Sequence, residues 1–252
     1  MIYFVGAGCG APDLITVRGA RLLREADAVI YAGSLVNAAL LESVKPGCEI
    51  HNSAVMTLDD VMAVLMRVHA AGGVAVRLHT GDPSLYGAIR EQMDILREAD
   101  IPFEICPGVS SFCGVAASLE AEYTLPGVSQ SVVITRIAGR TPVPEQESIR
   151  SLAAHHATMV IFLSAGMAQS LQAELIIGGY VPETPAAIVY KASWPDERVV
   201  RCTVGTLAGT VMESGIDHHA IICVGDFLGE TYDLSKLYDP AFTTAFRKGT
   251  DA

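Results

Sequence analysis

The chain has 252 residues, half of them apolar, and a formal net charge of −11. This length suits one large domain or two of ordinary size, and the acidic surplus argues against nucleic acid as main partner, because phosphates are bound by clustered Lys and Arg. No apolar run approaches the roughly 18 residues of a membrane span, and the N-terminus lacks a secretory signal pattern. We therefore expect a cytoplasmic protein with no membrane partner.

In the first half of the chain, short apolar segments alternate with amphipathic ones. The pattern predicts strands at residues 2–6, 28–32, 74–79 and 103–106. Helices are predicted at residues 16–26, 35–44, 58–71, 85–99 and 110–120. This alternation indicates βαβ units and a mostly parallel sheet, which is the α/β class.

A second set of elements follows a stretch at residues 120–130 that interrupts the pattern. Strands are predicted at residues 131–136, 158–163, 186–191, 199–204 and 219–224, and helices at 145–155, 167–177 and 206–214. The break predicts two α/β domains, residues 1–120 and 121–252. Six cysteines without a C-x-x-C pair predict reduced thiols, and no metal signature is present.

The first motif runs from Gly6 to Thr16 and follows the first strand directly. Gly6, Gly8 and Ala11 fit the degenerate dinucleotide fingerprint. Two features argue against that reading: the helix begins only near Thr16, and no acidic residue follows the second strand to hold a ribose. The glycines favour a sharp turn that approaches another group closely, either a ligand or a neighbouring loop.

Two further motifs follow later strands. Residues 78–87 place Gly81 and Asp82 after the third predicted strand, where ligands bind in open α/β folds. Asp82 could cap the following helix or bind the polar end of a ligand. Residues 106–111 place Ser110 and Ser111 at a predicted helix start, which alone is a capping motif.

Taken in order, the loops containing Pro12-Asp13, Gly81-Asp82-Pro83 and Pro107-Gly108 resemble the signature of the tetrapyrrole methylases over about residues 1–230. Residues 31–36, 78–89, 130–142 and 190–195 resemble the subgroup that acts at C-11 of precorrin-4. Ala32-Gly33 stands where uroporphyrinogen-III methylases usually have an Asp. A cobalt-loaded substrate, another precorrin or uroporphyrinogen methylase, and a non-catalytic sensor of S-adenosylmethionine or tetrapyrrole stay open as alternatives.

The resemblance implies a homodimer of two-domain chains, with the active-site cleft between the domains. It implies S-adenosyl-L-methionine as cofactor, S-adenosyl-L-homocysteine as product and a polycarboxylate tetrapyrrole as substrate. The expected cofactor residues are Pro12, Thr80, Gly81, Asp82, Ser110, Ser111, Leu163, Ala192 and Ala220. No catalytic residue is nominated, because an electron-rich ring carbon of the substrate is itself the nucleophile.

Four residues are candidates for the substrate side of the site. Arg136 and Arg140 could pair with substrate carboxylates, or could form ordinary ion pairs with Glu145 or Glu147. His79 could line the substrate trough or be a satisfied core residue. Ser34 lies in one of the subgroup stretches.

Overall fold

The computed structural model describes residues 1–250, so Asp251 and Ala252 of the expected second domain lie outside the described residues. Contacts divide the chain into two compact units. Unit 1 comprises Met1–Ser118 and Lys191–Arg198, and unit 2 comprises Leu119–Tyr190 and the residues from Val199 onward. The expected domain boundaries and the cleft stay predictions.

Unit 1 contains a five-stranded sheet in the order β3-β2-β4-β1-β5, in which every pair of neighbours is parallel. The strands are β1 (Ile2–Gly6), β2 (Ala28–Tyr31), β3 (Glu49–Asn52), β4 (Ala75–His79) and β5 (Phe103–Cys106). The helices are α1 (Val17–Glu25), α2 (Leu58–Ala70), α3 (Arg90–Glu98) and α4 (Ser111–Leu119).

Helices cover both faces of this sheet, so most side chains of its inner strands are apolar. On one face, Phe4 and Ile30 pack with Leu65 of α2 and with Leu96, which lies on α3. On the other face the core includes Leu22 and Leu23 of α1. Parallel sheets are covered in this way, so their strands are near-continuous apolar runs.

Unit 2 contains a second five-stranded sheet, in the order β6-β7-β10-β8-β9. Its strands are β6 (Val132–Arg136), β7 (Thr158–Phe162), β8 (Pro185–Tyr190), β9 (Arg198–Thr203) and β10 (Ala220–Val224), and its helices are α5 (Ile149–Ala153), α6 (Ala168–Ile177) and α7 (Leu207–Ser214). This sheet is mixed, since β6 pairs with β7 in parallel but β10 runs antiparallel to both β7 and β8. The mostly parallel arrangement expected from the sequence is therefore correct only for unit 1.

Most predicted elements are confirmed to within one residue at each end, and the exceptions have local causes. The helix predicted at residues 35–44 is wrong: the chain forms two short 3-10 turns, Gly33–Leu35 and Ala38–Ser43, separated by extended backbone. The helix predicted at residues 85–99 begins only at Arg90, because Tyr86 and Ala88 adopt left-handed backbone with φ of 56° and 49°.

Two more differences concern polar segments. The helix predicted at residues 145–155 is reduced to α5, where the Ser148 side chain accepts a hydrogen bond from Ser151 N and so defines the helix start. Strand β3 was missed, because Ile50 is its one apolar residue and β3 lies at the sheet edge beside β2. No helix among residues 1–250 is long and apolar enough to cross a membrane.

Candidate active site

Three loops of unit 1 meet at the edge of the sheet where its strands end. Because the strands are parallel, the loops after β1, β4 and β5 leave at the same edge, where ligands bind in open α/β folds. The backbones of Gly8 and Gly81 exchange hydrogen bonds of 3.3 and 2.9 Å. Gly108 N donates to Asp82 Oδ2 at 2.8 Å. The three sequence motifs therefore form one hydrogen-bonded structure.

Glycine is required at two points of this structure because the backbones are nearly in contact. A Cβ atom on Gly6 would lie 2.5 Å from Gly81 O and 2.6 Å from Gly108 Cα. A Cβ on Gly108 would overlap the same carbonyl oxygen. Any larger residue would force the loops apart, so these two glycines define how closely the three loops approach.

Asp82 joins two of the loops rather than capping a helix. Its Oδ1 accepts hydrogen bonds from Ser84 N at 2.8 Å and Ser84 Oγ at 2.5 Å, and its Oδ2 accepts the one from Gly108 N. The capping interpretation is wrong, because α3 begins eight residues later at Arg90. Burial raises the pKa of the Asp82 carboxyl, but the hydrogen bonds from Ser84 and Gly108 outweigh it, so the pKa lies below its ordinary value.

Residues 191–198 also pack against the first glycine loop within unit 1. Ser193 Oγ accepts a hydrogen bond from Ala11 N at 3.0 Å. Glu197 Oε2 in turn accepts from Ser193 N at 2.5 Å and from Ser118 Oγ at 2.7 Å. The sequence reasoning missed the roles of Ser193 and Glu197, although it had marked residues 190–195 as a subgroup stretch.

The structure brings the expected cofactor residues of unit 1 to this edge. Ala192 is 6% exposed. It lies beside α4, since a Cβ placed on Gly114 of that helix would be 3.6 Å from the Cβ of Ala192. The Thr80 hydroxyl donates to Leu35 O at 2.8 Å, and Ser110 is buried. The other members are Pro12, Gly81, Asp82 and Ser111. Ser34 lies exposed in the turn after β2.

In unit 2, the expected cofactor residues Leu163 and Ala220 lie at one edge of the sheet, at or next to strained backbone. The ends of β6 and β7 lie side by side, because Arg136 pairs with Phe162. The start of β10 lies beside the end of β8, because Ala220 pairs with Tyr190. Leu163 has a φ of 53°, and its side chain is 62% exposed. His219, just before Ala220, has the same φ. Strained backbone of this kind clusters at functional sites.

The two arginines expected to bind substrate differ in their surroundings. The Arg136 guanidinium donates to three backbone carbonyls near it, Ile137 O at 3.3 Å, Thr141 O at 3.1 Å and Pro142 O at 2.8 Å. Arg140 is exposed. Within residues 1–250 neither arginine forms the alternative ion pair with a glutamate. Arg136 thus holds its own loop, while the substrate role of both stays a prediction.

His79 is buried in unit 1 rather than exposed at an open surface. It is 4% exposed and its ring stacks on Phe4 with centroids 6.3 Å apart. Burial and, to a smaller degree, the charge of Arg77 lower the pKa of His79 to about 3, against an opposing effect of Asp82. The imidazole is therefore neutral at physiological pH. Its Nε2 atom has no hydrogen-bond partner among the described residues.

Comparisons with known proteins identify the family of this chain. The family model for tetrapyrrole (corrin/porphyrin) methylases matches residues 1–208, which is most of the chain and includes all three loops. The chain belongs to the tetrapyrrole methylases. Within residues 1–250 of this methylase, no group of three or more His, Cys, Asp or Glu side chains is arranged to hold a metal ion.

Individual members of the family are similar to this methylase over nearly their full length. Cobalt-precorrin-4 C(11)-methyltransferase of Methanocaldococcus jannaschii is 52% identical, covering 98% of this chain and 96% of the relative. Precorrin-4 C(11)-methyltransferase of Pseudomonas aeruginosa is 43% identical, covering 98% and 99%.

Two solved structures share the fold. A cobalt precorrin-4 methyltransferase has a TM-score of 0.89 and 44% identity, covering 91% of this chain and 96% of its own. A uroporphyrin-III C-methyltransferase from Thermus thermophilus, complexed with S-adenosylhomocysteine, has a TM-score of 0.73 and 27% identity, covering 90% and 93%. The fold expected from the sequence, that of the tetrapyrrole methylases, is confirmed.

Proposed function

We propose that this methylase transfers a methyl group from S-adenosyl-L-methionine to C-11 of precorrin-4, giving precorrin-5 in cobalamin biosynthesis. The observation that carries the proposal is full-length similarity to two enzymes named for this step, at 52% and 43% identity. The higher figure belongs to the enzyme named for the cobalt-loaded substrate, so cobalt-precorrin-4 is the favoured form of the macrocycle.

The residues of unit 1 suit an elongated cofactor with a polar end. Gly81 N donates a hydrogen bond to Gly8 O, and the φ of Gly81 is left-handed at 61°. A Cβ on Gly81 would lie 3.1 Å from Ser111 N, so this glycine brings the loop after β4 close to the start of α4. Thr80, Gly81, Asp82, Ser110 and Ser111 would hold the cofactor from unit 1, with Pro12 and Ala192. Leu163 and Ala220 would hold it from unit 2.

When bound, S-adenosyl-L-methionine supplies a methyl group on a positively charged sulfur, and S-adenosyl-L-homocysteine remains after transfer. The lowered pKa of Asp82 keeps its carboxylate ionised at neutral pH, ready to accept hydrogen bonds from the polar end of the cofactor. The Gly6, Gly81 and Gly108 contacts hold that carboxylate on rigid backbone. Orientation and exclusion of water are then the chain's main contribution, worth roughly 7–11 kcal/mol in ideal intramolecular models.

The proposal is tested by turnover with the purified protein. Cobalt-precorrin-4 and metal-free precorrin-4 are each incubated with S-adenosyl-L-methionine, and the methylated macrocycle and S-adenosyl-L-homocysteine are measured by mass spectrometry. We expect a 1:1 yield of the two products and faster turnover of the cobalt form. Tight cofactor binding with no methylated macrocycle would instead identify a sensor of S-adenosylmethionine.

The cofactor assignment is tested with Asp82→Asn, which keeps the shape of the side chain and removes its charge. We expect the dissociation constant of S-adenosyl-L-homocysteine, measured by calorimetry, to rise at least about tenfold, because a charge-assisted hydrogen bond is worth about 1.5–3 kcal/mol. Asp94→Asn is the control, since Asp94 lies on α3 in exposed ion pairs with Arg90 and Arg97. Unchanged affinity in the Asp82 variant would reject the assignment.

For the macrocycle, we propose contacts from Ser34, His79, Arg136 and Arg140. Of these two arginines, Arg136 donates to three backbone carbonyls, whereas Arg140 is exposed and is the more available for a carboxylate. Arg140→Ala should raise KM for the macrocycle without changing cofactor affinity. An unchanged KM would remove Arg140 from the site.

A homodimer in the cytoplasm completes the proposal. The dimer follows from the resemblance to the tetrapyrrole methylases. All six cysteines lie in described residues and are unpaired, as is usual in a reducing compartment. Light scattering gives the mass in solution, and a monomer would reject the dimer.

A further inference from the structure

Strand β4 buries two polar side chains in the middle of unit 1. Arg77 and His79 are 7% and 4% exposed and, being two residues apart, point to the same face of the sheet. Arg77 pairs in register with Phe4 on β1 and Ile30 on β2, so it faces the core layer that contains them. A strand with apolar neighbours on both sides thus introduces a cation and an imidazole into an apolar layer.

Helix α3 adds a third polar side chain to this layer. Gln92 is 5% exposed, and it lies one helical turn before Leu96, which packs in the same core cluster as Phe4 and Ile30. Since α3 connects two parallel strands, it runs back against them, and its first turn lies at the edge where β4 ends. Gln92 therefore lies at the same end of the layer as His79.

Each of these three side chains has a buried polar atom without a hydrogen-bond partner among the described residues. The atoms are Arg77 Nε, His79 Nε2 and Gln92 Oε1. Buried polar groups are almost always paired, so three orphans in one layer call for an explanation. Other atoms of two of them are paired, because Arg77 Nη1 donates to Ile30 O at 3.1 Å and Gln92 Nε2 donates to Ala88 O at 3.0 Å.

The charge of this layer is also uncompensated. Burial lowers the pKa of Arg77 to about 10, so the guanidinium keeps its charge at neutral pH. No carboxylate of residues 1–250 forms an ion pair with it. Asp82 acts electrostatically on His79, but no ion pair joins it to Arg77, whose pKa shift comes from burial alone. A buried cation without a partner is costly, and an anion from outside the chain would remove that cost.

We infer that Arg77 and His79, bordered by Gln92, form a buried recognition site for one carboxylate side chain of the tetrapyrrole substrate. Arg77 Nε–H and a proton on His79 Nε2 are two donors for the oxygens of one carboxylate. The inference rests on the proposed function, which supplies a polycarboxylate substrate. It adds Arg77 and Gln92, neither of which the sequence had marked.

The carboxylate enters past residues 83–89, which join β4 to α3. Tyr86 and Ala88 in this segment hold left-handed backbone that non-glycine residues adopt rarely, and Tyr86 is 46% exposed. Backbone of this kind costs about 1–3 kcal/mol for each residue, and a change of conformation would release that strain. We expect it to move aside when the carboxylate enters and to close behind it.

The test uses uroporphyrin III as a stable polycarboxylate probe, with its affinity measured by fluorescence quenching. Arg77→Met should weaken binding at least tenfold, while the affinity for S-adenosyl-L-homocysteine stays within twofold of the unmodified protein. Arg97→Met is the matched control, because Arg97 lies exposed on α3 in an ion pair with Asp94, and it should leave both affinities unchanged.

Gln92→Glu provides a second variant that does not remove the buried cation. The new carboxylate would pair with Arg77 from inside, so uroporphyrin binding should fall at least tenfold while the melting temperature rises. If Arg77→Met does not fold, the uroporphyrin affinity of Gln92→Glu tests the inference instead. Unchanged uroporphyrin affinity in the folded variants would overturn the inference and leave the proposed function intact. An unmodified protein that binds no uroporphyrin III and methylates no macrocycle would overturn both the inference and the proposed function.

Discussion

At the scale of single residues, the site depends on two glycines whose lack of a Cβ atom lets the loops approach each other. Gly6 and Gly108 allow three loops to touch because neither has a Cβ. The sequence shows these glycines in turn motifs after strands, so a close approach could be predicted. It does not show that each approaches the carbonyl of Gly81, because that contact joins segments about 27 and 75 residues apart along the chain.

Gly108→Ala should therefore separate the loops. We expect the free energy of unfolding to fall by about 1–3 kcal/mol, the cost of overpacking, and the affinity for S-adenosyl-L-homocysteine to fall with it. Urea unfolding and calorimetry measure the two effects. Gly209→Ala is the control, since a Cβ there meets nothing within 4 Å inside α7 and should stabilise the protein by about 1 kcal/mol. Equal behaviour of the two variants would contradict the close contact.

The buried imidazole of His79 makes stability depend on pH. Folding lowers its pKa from 6.5 to about 3, so between these values the unfolded chain binds a proton that the folded chain does not. The free energy of unfolding should fall by about 1.4 kcal/mol per pH unit as the pH drops below 6.5.

His79→Gln should remove this dependence between pH 6.5 and 5, a range in which ordinary carboxyl groups stay ionised. Urea unfolding at each pH provides the measurement. His155→Gln is the control because His155 is exposed. If the pH dependence is the same with and without His79, the imidazole is not buried as the structure places it.

At the scale of elements, helix boundaries follow local capping wherever a polar side chain bonds its own backbone. Thr57 begins α2 through a capping box in which its hydroxyl accepts from Asp60 N and its backbone N–H donates to Asp60 Oδ2. The sequence predicted this helix within one residue. Helix α3 was mispredicted because left-handed backbone at Tyr86 and Ala88 is not a property of those residue types.

Thr57→Ala should reduce the free energy of unfolding by about 1 kcal/mol, because the backbone N–H of Asp60 loses the hydroxyl that accepts its hydrogen bond. The midpoint of urea unfolding reports the loss. Thr57→Ser keeps the hydroxyl and should behave like the unmodified protein. A midpoint unaffected by Thr57→Ala would show that packing of Leu65 and its neighbours alone determines where α2 begins.

At the scale of the whole molecule, a chain of charge −11 must bind a substrate that is itself a polyanion. Long-range repulsion should slow their encounter, even though buried Arg77 favours the bound state. The Debye length falls from about 30 Å at 0.01 M to about 8 Å at 0.15 M ionic strength. The association rate of uroporphyrin III should therefore increase with salt over this range.

Stopped-flow fluorescence measures this rate, and a cationic porphyrin is the control whose rate should fall with salt. A rate for uroporphyrin III that falls as salt is added would mean that local arginines such as Arg136 and Arg140 dominate the field at the entrance. The net charge from the sequence would then be a poor guide to substrate encounter.

The sequence by itself determined the family, the positions of most elements and the loops that form the site, because turn residues and hydrophobic period are local properties. Only the tertiary structure decided three other features. Residues 191–198 join the glycine loop through Ser193, β10 runs antiparallel in unit 2, and Arg77 lies buried without a counter-charge. Each depends on which distant segments become neighbours, and strand direction, register and burial are settled by packing across the whole core rather than by nearest neighbours in the chain.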